Sequence, residues 1–367
     1  MVFDLVRGLA AVAVCAMHLR AALLPDAGTV ALTLAEKVAY FATGLGHEAV
    51  MVFFVLSGFF VGGQVLRSRP DFSPARYATA RLVRLWVVLV PALGLTFLVD
   101  RGLAHLNPGV LAGSYFNAWC SGPEPGHYAA DLRTLLANLT FNQTIIAPVF
   151  GTNGPLWSLA NEFWYYVMFP AALLAAGFFP ARRSLSLRLA AAIVLVFAVV
   201  WVPAQFFRGF AIWILGALLA ALAHHRRLPP WTQSVAARVA STALAGGAVL
   251  AARLHRFDDS SFHPEHVVGV AFALWAATWV HGEIRMPALR RLALRLSEIS
   301  YSLYLSHLPV VLLISIGIYG GRELPPSPAH WLAFVGWLAA IVALAIAFWA
   351  AFERHTPRVR RWLDARS

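Results

Sequence analysis

The chain has 367 residues, and its composition is typical of a membrane protein rather than a soluble one. Hydrophobic residues make up 60% of it and charged residues only 13%, whereas soluble domains usually carry about 25% charged residues. The net charge of +12 does not indicate nucleic-acid binding, because the basic residues lie in clusters between apolar runs instead of forming one patch. The two cysteines, Cys15 and Cys120, are too few for a disulfide scaffold or a multi-cysteine metal site.

Ten apolar runs, each close to the length that crosses a bilayer as a helix, follow one another along the chain. They lie near residues 5–23, 38–62, 82–100, 155–178, 189–205, 208–224, 235–253, 265–281, 299–318 and 330–352. Only a short segment separates the fifth run from the sixth, so one kinked helix is the alternative there. The pattern predicts an all-α fold: a polytopic transmembrane helical bundle of about ten helices, with residues 1–367 in a single membrane domain.

Basic residues are distributed unevenly among the loops. Twenty of the 29 lysine and arginine residues lie in five alternate segments, 67–84, 182–188, 226–238, 285–295 and 354–366. The segments on the opposite side hold eight, and Arg7 lies within the first run. Because short cytoplasmic loops are enriched in basic residues, we expect both termini in the cytoplasm and an even number of spans.

Two ionisable residues of the first run, Arg7 and His18, stand eleven positions apart. Eleven residues are close to three helical turns, so both side chains lie on one face, about 16 Å apart along the axis. Asp4 precedes Arg7 by three positions and can pair with it. Ionisable groups in a span indicate a site or an ion pair. An ion pair is also expected for Glu353, at the end of the last run. A snorkelling arginine and a hydrogen-bonded core histidine are the alternative for the first run.

The second run and the start of the third contain further candidates. Gly58 allows close helix approach and Ser57 can form a hydrogen bond across the contact, which favours a packing role for both. Arg81 and Arg84 are three apart on one helix face, where they could hold a phosphorylated ligand at the inner membrane surface. From the charge pattern alone, anchoring by the positive-inside rule is the simpler interpretation of this pair.

Two later runs carry polar side chains at helical spacing. Trp157 and Ser158 open the fourth run, and Glu162 follows Ser158 by four positions on the same face. A carboxylate about two turns into a span is hard to explain by packing, which favours a functional role or an ion pair. In the ninth run, Tyr304 and His307 belong to one polar stripe, for which helix–helix hydrogen bonding is the alternative.

Six segments occur in a set order over nearly the whole chain: residues 3–18 with Arg7 and His18, residues 52–58, the pair Arg81 and Arg84, residues 156–162, residues 299–307, and Phe352-Glu353. Together they resemble the acyltransferase-3 family of bacterial integral membrane acyltransferases, whose signature is an arginine and a histidine separated by ten residues. Ser306 departs from the family, which usually has a tryptophan-like residue before the last histidine. The chain ends soon after its last helix and so resembles the stand-alone type.

This resemblance implies transfer of an acyl group, commonly acetyl, from cytoplasmic acyl-CoA to a hydroxyl group, often on a sugar, at the bacterial inner membrane. It implies catalytic roles for His18, Glu162 and Arg7, with Arg7, Arg81 and Arg84 holding acyl-CoA. His18 would act as general base or otherwise assist transfer, since a neutral histidine suits that task near neutral pH. Glu162 would orient His18 or the acceptor.

The expected partners are membrane lipids, acyl-CoA and a carbohydrate or other hydroxyl acceptor, without nucleic acid or metal. Further site candidates are Asp4, Ser57, Trp157, Ser158, Tyr304 and His307. Two other classes of protein remain open. A secondary transporter also carries polar residues in its spans, but no pair of glycine-broken runs in matching halves is present. A membrane scaffold would not need the spacing of Arg7 and His18. Turnover of acyl-CoA separates the three.

Overall fold

The structure, a computed structural model, describes residues 1–68, 72–119, 121–180, 184–225, 227–254, 264–284 and 286–365. These residues are helical or lie in loops, and no β-strand occurs among them. The all-α, polytopic fold predicted from the sequence is confirmed. Some residues used in the sequence arguments lie outside the described residues: Arg69, Cys120, Arg182, Arg183, Arg226, Arg256, Arg285 and Arg366.

The helices are numbered here in chain order. The first seven are α1 (Val2–Leu23), α2 (Leu34–Ala42), α3 (Gly46–Ser57), α4 (Gly63–Arg67), α5 (Pro74–Leu106), α6 (Phe116–Trp119) and α7 (Leu132–Leu139). A π-helical turn, Gly58–Gly62, joins α3 to α4. The remaining helices are α8 (Leu156–Ala175), α9 (Leu185–Trp201), α10 (Gln205–His224), α11 (Val235–Leu254), α12 (Pro264–Trp279), α13 (Pro287–Tyr319), α14 (Pro328–Ala351) and α15 (Thr356–Asp364). Short 3₁₀ turns occur at Pro108–Val110, Pro230–Gln233 and Glu353–His355.

The ten apolar runs coincide with helical structure, but the second run, residues 38–62, is divided between α2, α3 and the π-helical turn, with a break at residues 43–45. Among the described residues, seven helical segments are long and apolar enough to cross a membrane: Val2–Leu23, Leu34–Arg67, Pro74–Leu106, Gln205–His224, Val235–Leu254, Pro287–Tyr319 and Pro328–Leu363. Helix α9 and the apolar part of α12 are shorter. Helix α8, which contains Asn161 and Glu162, is not one of the seven. The alternative of one kinked helix for the fifth and sixth runs is wrong, because extended backbone at Val202 ends α9 before α10 begins.

The described chain forms two compact units. The first unit comprises Met1–Arg7, His47–Ala78 and Asn161–Ser297. The second unit comprises Gly8–Gly46, Thr79–Ala160 and Glu298–Ser367. Helices α1, α3, α5, α8 and α13 therefore contribute residues to both units. The single domain expected for residues 1–367 stays a prediction.

In the first unit, glycines allow α10 to pack directly on the backbone of α3 and the π-helical turn. A Cβ atom on Gly58 would collide with the carbonyl oxygen of Trp213, and one on Gly216 would collide with the carbonyl oxygen of Val55. Only glycine therefore fits at these two positions, and the close helix approach predicted for Gly58 is confirmed. Such packing of small residues is a common way to join helices within a membrane.

A proline within α8 changes the hydrogen bonding of the first unit. Proline has no N–H, so the carbonyl four residues earlier in the helix has no helical donor. That carbonyl belongs to Tyr166, four positions before Pro170, and it accepts a hydrogen bond from the hydroxyl of Tyr77 at 3.2 Å. A backbone group without a partner is costly within a membrane, and Tyr77 supplies the missing donor from α5.

The second unit contains a parallel case at Pro309 in α13. The carbonyl that this proline leaves without a helical donor belongs to Leu305. The side-chain amide of Asn153 donates to the Leu305 carbonyl at 2.9 Å and to the hydroxyl of Thr96 in α5 at 3.1 Å. All three polar groups are buried, and Asn153 thereby ties the loop before α8 to both α5 and α13.

Other buried polar bonds attach the long loop after α5 to the second unit. Asp100, near the end of α5, accepts bonds from the Thr152 amide at 3.0 Å and from the Thr152 hydroxyl at 2.6 Å. Tyr128 also bonds to this carboxylate; burial, reinforced by the Asp100 charge, raises the pKa of Tyr128 to about 12 and keeps its hydroxyl protonated. The side-chain amide of Gln143 donates to the carbonyl of Leu156 at 2.9 Å, which fixes the start of α8.

Candidate active site

His18 and His307 form a buried pair in the second unit. Nδ1 of His18 lies 2.8 Å from Nε2 of His307, a hydrogen-bonding distance. His18 is 8% exposed and His307 is 0% exposed. The helix–helix hydrogen bond considered for the polar stripe on α13 is therefore present. The partner of His307 in it is His18, the candidate residue on α1.

Tyr304 and Ser158 lie next to this pair. The Tyr304 ring is tilted against the His307 ring, with the ring centroids 6.1 Å apart. The hydroxyls of Tyr304 and Ser158 are 2.7 Å apart, and both lie within hydrogen-bonding distance of the Pro155 carbonyl, at 3.3 and 3.2 Å. Three predicted site residues of the second unit, Ser158, Tyr304 and His307, are thus linked with His18. Trp157, in the first turn of α8, is half-buried.

Arg7 and Asp4 form the ion pair expected from their spacing. The Arg7 guanidinium lies 3.7 Å from the Asp4 carboxylate and 5.5 Å from the centre of the Phe60 ring. Nε of Arg7 donates to the Ser297 hydroxyl at 2.8 Å, and that hydroxyl donates to Asp4 at 3.2 Å. Arg7 is therefore held in one orientation within the first unit, at the N-terminal end of the single helix that also carries His18.

Glu162 ends a chain of hydrogen bonds in the first unit. The indole N–H of Trp213 donates to the Ser57 hydroxyl at 3.1 Å, and Ser57 lies 3.1 Å from the Tyr166 hydroxyl. Tyr166 donates to the Glu162 carboxylate at 2.6 Å. Because a carboxylate only accepts, all the protons point toward Glu162, with Ser57 donating to Tyr166. Ser57 therefore has a polar partner beyond the packing role that the sequence favoured.

Arg84 forms an ion pair with Glu353, which confirms the ion pair predicted for that glutamate. Glu353 is buried and Arg84 is partly exposed, with its guanidinium also 5.3 Å from the centre of the Tyr301 ring. The other carboxylate oxygen of Glu353 accepts bonds from the Ser302 amide at 3.0 Å and from its hydroxyl at 2.5 Å. Arg84 thus has a structural role, and Arg81 lies one turn earlier on the same helix.

Sequence reasoning missed three residues of these networks. Ser297 orients Arg7, Trp213 donates to Ser57, and Asn153 binds α13 two residues before His307. None belongs to a recognisable motif. The spacing of four positions between Glu162 and Tyr166 indicates a bond along one helix face.

Comparison with known families decides the class of this protein. The sequence model of Acyl_transf_3, the acyltransferase domain family, matches residues 2–353. The chain belongs to this family. It is an acyltransferase of the multi-pass membrane type, in agreement with the resemblance noted from its motifs. Comparisons with curated proteins and with solved structures find no significant match.

Proposed function

We propose that this membrane acyltransferase transfers an acyl group, commonly acetyl, from cytoplasmic acyl-CoA to a hydroxyl of a carbohydrate or related acceptor. The observation that carries the proposal is the buried hydrogen bond between His18 and His307. A titratable ring that is buried, yet held by a second titratable ring, suits proton transfer better than packing. Helix α1 carries this histidine and, nearer its N-terminus, a fixed cation in Arg7.

The proposed reaction is direct transfer with His18 as general base. His18 accepts the proton of the acceptor hydroxyl while the hydroxyl oxygen attacks the thioester carbonyl carbon. The new carbon–oxygen bond forms, the carbon–sulfur bond breaks, and the electron pair leaves with the sulfur of coenzyme A. His18 then returns its proton to this thiolate. The products are the acylated acceptor and free coenzyme A, and the base ends in its starting state.

Three arginines are proposed to bind the donor, and the structure supports them to different degrees. Coenzyme A is anionic, and arginine is well suited to phosphate groups. Arg7 is fixed by Asp4 and Ser297, which favours a defined contact with the donor. Arg84 already neutralises Glu353, so Arg81 is the clearer position at which to test phosphate binding.

Glu162 is proposed to orient the acceptor. Its carboxylate accepts a bond from Tyr166 through one oxygen, and a carboxylate has further lone pairs that can accept from sugar hydroxyls. The chain from Trp213 through Ser57 to Tyr166 holds the carboxylate in place. An isolated charge within the membrane would be very costly. The hydrogen-bonded carboxylate of Glu162 therefore favours a binding role.

The proposal is tested by replacing His18 with glutamine in protein reconstituted in nanodiscs. Glutamine keeps the polarity but cannot take up a proton, so release of coenzyme A from acetyl-CoA, with cell-envelope extract supplying the acceptor hydroxyl, should fall by about 10²–10⁴-fold. Acetyl-CoA binding should be unchanged. His105→Gln is the matched control, since His105 is an exposed histidine of α5, and it should keep the parental rate. Parental activity in His18→Gln would refute the proposed base.

The acceptor and the orientation need separate experiments. Mass spectrometry of surface glycans and extractable metabolites, with and without the protein, identifies the acylated product. Cytoplasmic termini are tested by placing cysteine at Ser68 or Ser121, with Cys120 changed to serine. An impermeant thiol reagent applied to intact cells should label position 121 and leave position 68 unlabelled. The reverse pattern would invert the proposed topology.

A further inference from the structure

We infer that His307 is a positioning residue: it holds the proton of His18 on Nδ1 and so leaves the basic lone pair on Nε2. The inference rests on the proposed function, in which His18 is the general base. It adds a partner for that base, the nitrogen at which the base acts, and the reason why His18 rather than His307 takes the proton.

Nδ1 of His307 contacts the backbone of its own helix. This nitrogen lies 3.0 Å from the carbonyl oxygen of Leu303 and 2.9 Å from that of Tyr304. A carbonyl oxygen can only accept a hydrogen bond, so the proton must be on Nδ1 of His307. The helix backbone thereby selects the tautomer of this ring, which is the usual way in which one imidazole nitrogen determines the state of the other.

The tautomer of His307 determines which ring donates in the contact between the two histidines. A neutral imidazole with its proton on Nδ1 has only a lone pair on Nε2. His307 is completely buried, and a buried cation is far more costly than a buried neutral ring. Nε2 of His307 therefore accepts, and the atom 2.8 Å away, Nδ1 of His18, donates. With its proton on Nδ1, neutral His18 carries its lone pair on Nε2.

The ring geometry fits this assignment. The two ring planes differ by only 25°, and the ring centroids are 5.0 Å apart. The centroids are farther apart than the two bonded nitrogens by about one ring width, so the nearly parallel rings meet edge to edge and the N–H of His18 points along the lone pair of His307. A face-to-face stack would not align the N–H with the lone pair. The contact is thus directional, as a positioning bond must be.

This arrangement decides between the two histidines as base. The lone pair of His307 is engaged with His18, whereas the lone pair of His18 is on the opposite side of its own ring. When His18 takes the acceptor proton on Nε2, its Nδ1–H bond to His307 becomes charge-assisted and therefore stronger. His307 stabilises the imidazolium without taking a proton itself. The proton then passes from Nε2 of His18 to the sulfur of the departing coenzyme A.

A second contact between α13 and α1 provides a matched control. The buried hydroxyl of Ser315 donates to the carbonyl of Ala22 at 2.8 Å. Ser315 lies two turns beyond His307 on α13, and it joins the same two helices without touching either histidine ring. Ser315→Ala therefore removes one bond between these helices and leaves the histidine pair intact.

The direct test is the nitrogen spectrum of the protein with ¹⁵N-labelled histidine in lipid bilayers. The signals of the pair are assigned by their loss in His18→Gln and His307→Gln. We expect the parental protein to show a protonated Nδ1 and an unprotonated Nε2 for both rings. A His18 with its proton on Nε2 would overturn the inference. This measurement does not depend on turnover, so it stands apart from the test of the proposed function.

The kinetic test compares three variants. His307→Leu removes the acceptor, and kcat should fall by about 10–100-fold, the size of loss seen when the partner that orients a metal-ligating histidine is removed. The KM for acetyl-CoA should be unchanged. His307→Gln offers a side-chain carbonyl to His18 and should recover part of kcat. Ser315→Ala should keep the parental kcat.

The outcomes separate the two hypotheses. An equal loss of kcat in Ser315→Ala and His307→Leu would assign His307 to helix packing and overturn the positioning role. The same holds if His307→Leu keeps the parental kcat. If His307→Leu does not fold, the parental spectrum and His307→Gln still decide. Failure of the parental protein to release coenzyme A from acetyl-CoA in the presence of cell-envelope extract, with the expected spectrum, would instead refute the proposed function and leave the proton assignment in place.

Discussion

Replacing Asn153 with alanine should destabilise the second unit, and replacing Pro309 with alanine in the same chain should recover much of the loss. Asn153 donates one amide hydrogen to the Leu305 carbonyl and one to the Thr96 hydroxyl. The Leu305 carbonyl needs this donor because Pro309 has no N–H. An alanine at position 309 supplies a helical N–H to the same carbonyl, so the side-chain donor becomes partly redundant.

The magnitude follows from the two bonds. A buried carbonyl left without a partner costs about 1–3 kcal/mol, and a neutral side-chain bond such as the one to Thr96 contributes about 1 kcal/mol. Asn153→Ala should therefore lower the free energy of unfolding by about 2–4 kcal/mol in the parental chain. In the Pro309→Ala background, Asn153→Ala should lose only the contribution of the bond to Thr96, about 1 kcal/mol. The expected coupling between the two positions is the difference, about 1–3 kcal/mol.

The assay is reversible unfolding in mixed detergent micelles, with the free energy read from the denaturant midpoint and slope for all four members of the cycle. Ser315→Ala is the control, because its bond lies on the same helix but does not involve the proline-released carbonyl. The loss in Ser315→Ala should be equal in both backgrounds. If Asn153→Ala were equally harmful with proline or alanine at position 309, the role assigned to the Leu305 carbonyl would be refuted.

Three other predictions concern stability and use the same unfolding assay. Tyr77→Phe should lower the free energy of unfolding by about 1–3 kcal/mol, and by less in a Pro170→Ala background. An equal loss in both backgrounds would contradict the role of the Tyr77 hydroxyl as donor to the Tyr166 carbonyl. Gly58→Ala should lower the free energy of unfolding by about 1–3 kcal/mol or more by overpacking. Its control is Gly94→Ala, where a Cβ meets open space and the change should be neutral or slightly stabilising. Equal effects of the two substitutions would refute the close approach of α10. Glu353→Gln should cost about 1–3 kcal/mol by removing the charged acceptor of its ion pair. An unchanged midpoint would show that the ion pair contributes nothing.

The helices could be predicted from the sequence because each apolar run has the length of a membrane span, but their ends could not. Helix α5 begins at Pro74, although its apolar run begins near residue 82. Helix α13 begins at Pro287, although its run begins near residue 299. In both, the helix continues from the apolar part into a segment rich in arginine. Hydropathy detects only the part of a helix that lipid surrounds, so it misses such extensions.

Local spacing identified the site residues but not their partners. The face shared by Arg7 and Asp4, or by Tyr304 and His307, follows from helical geometry within one segment. The bond between His18 and His307 joins residues 289 positions apart. A single sequence does not show which of such distant positions are in contact. The stripe on α13 and the histidine on α1 were therefore both predicted as candidates, while their contact emerged only from packing.

The arginine pair on α5 shows how this gap affects function. Arg81 and Arg84 share a helix face and both are positively charged. From the sequence, both are therefore expected to bind an anionic donor in the same way. In the structure Arg84 neutralises the buried Glu353, whose other oxygen binds Ser302 on α13. A variant that lacks both arginines loses this internal ion pair together with any donor contact. Weaker acyl-CoA binding in that variant would therefore mix two causes, and Arg81 must be changed alone if the phosphate contact is to be measured.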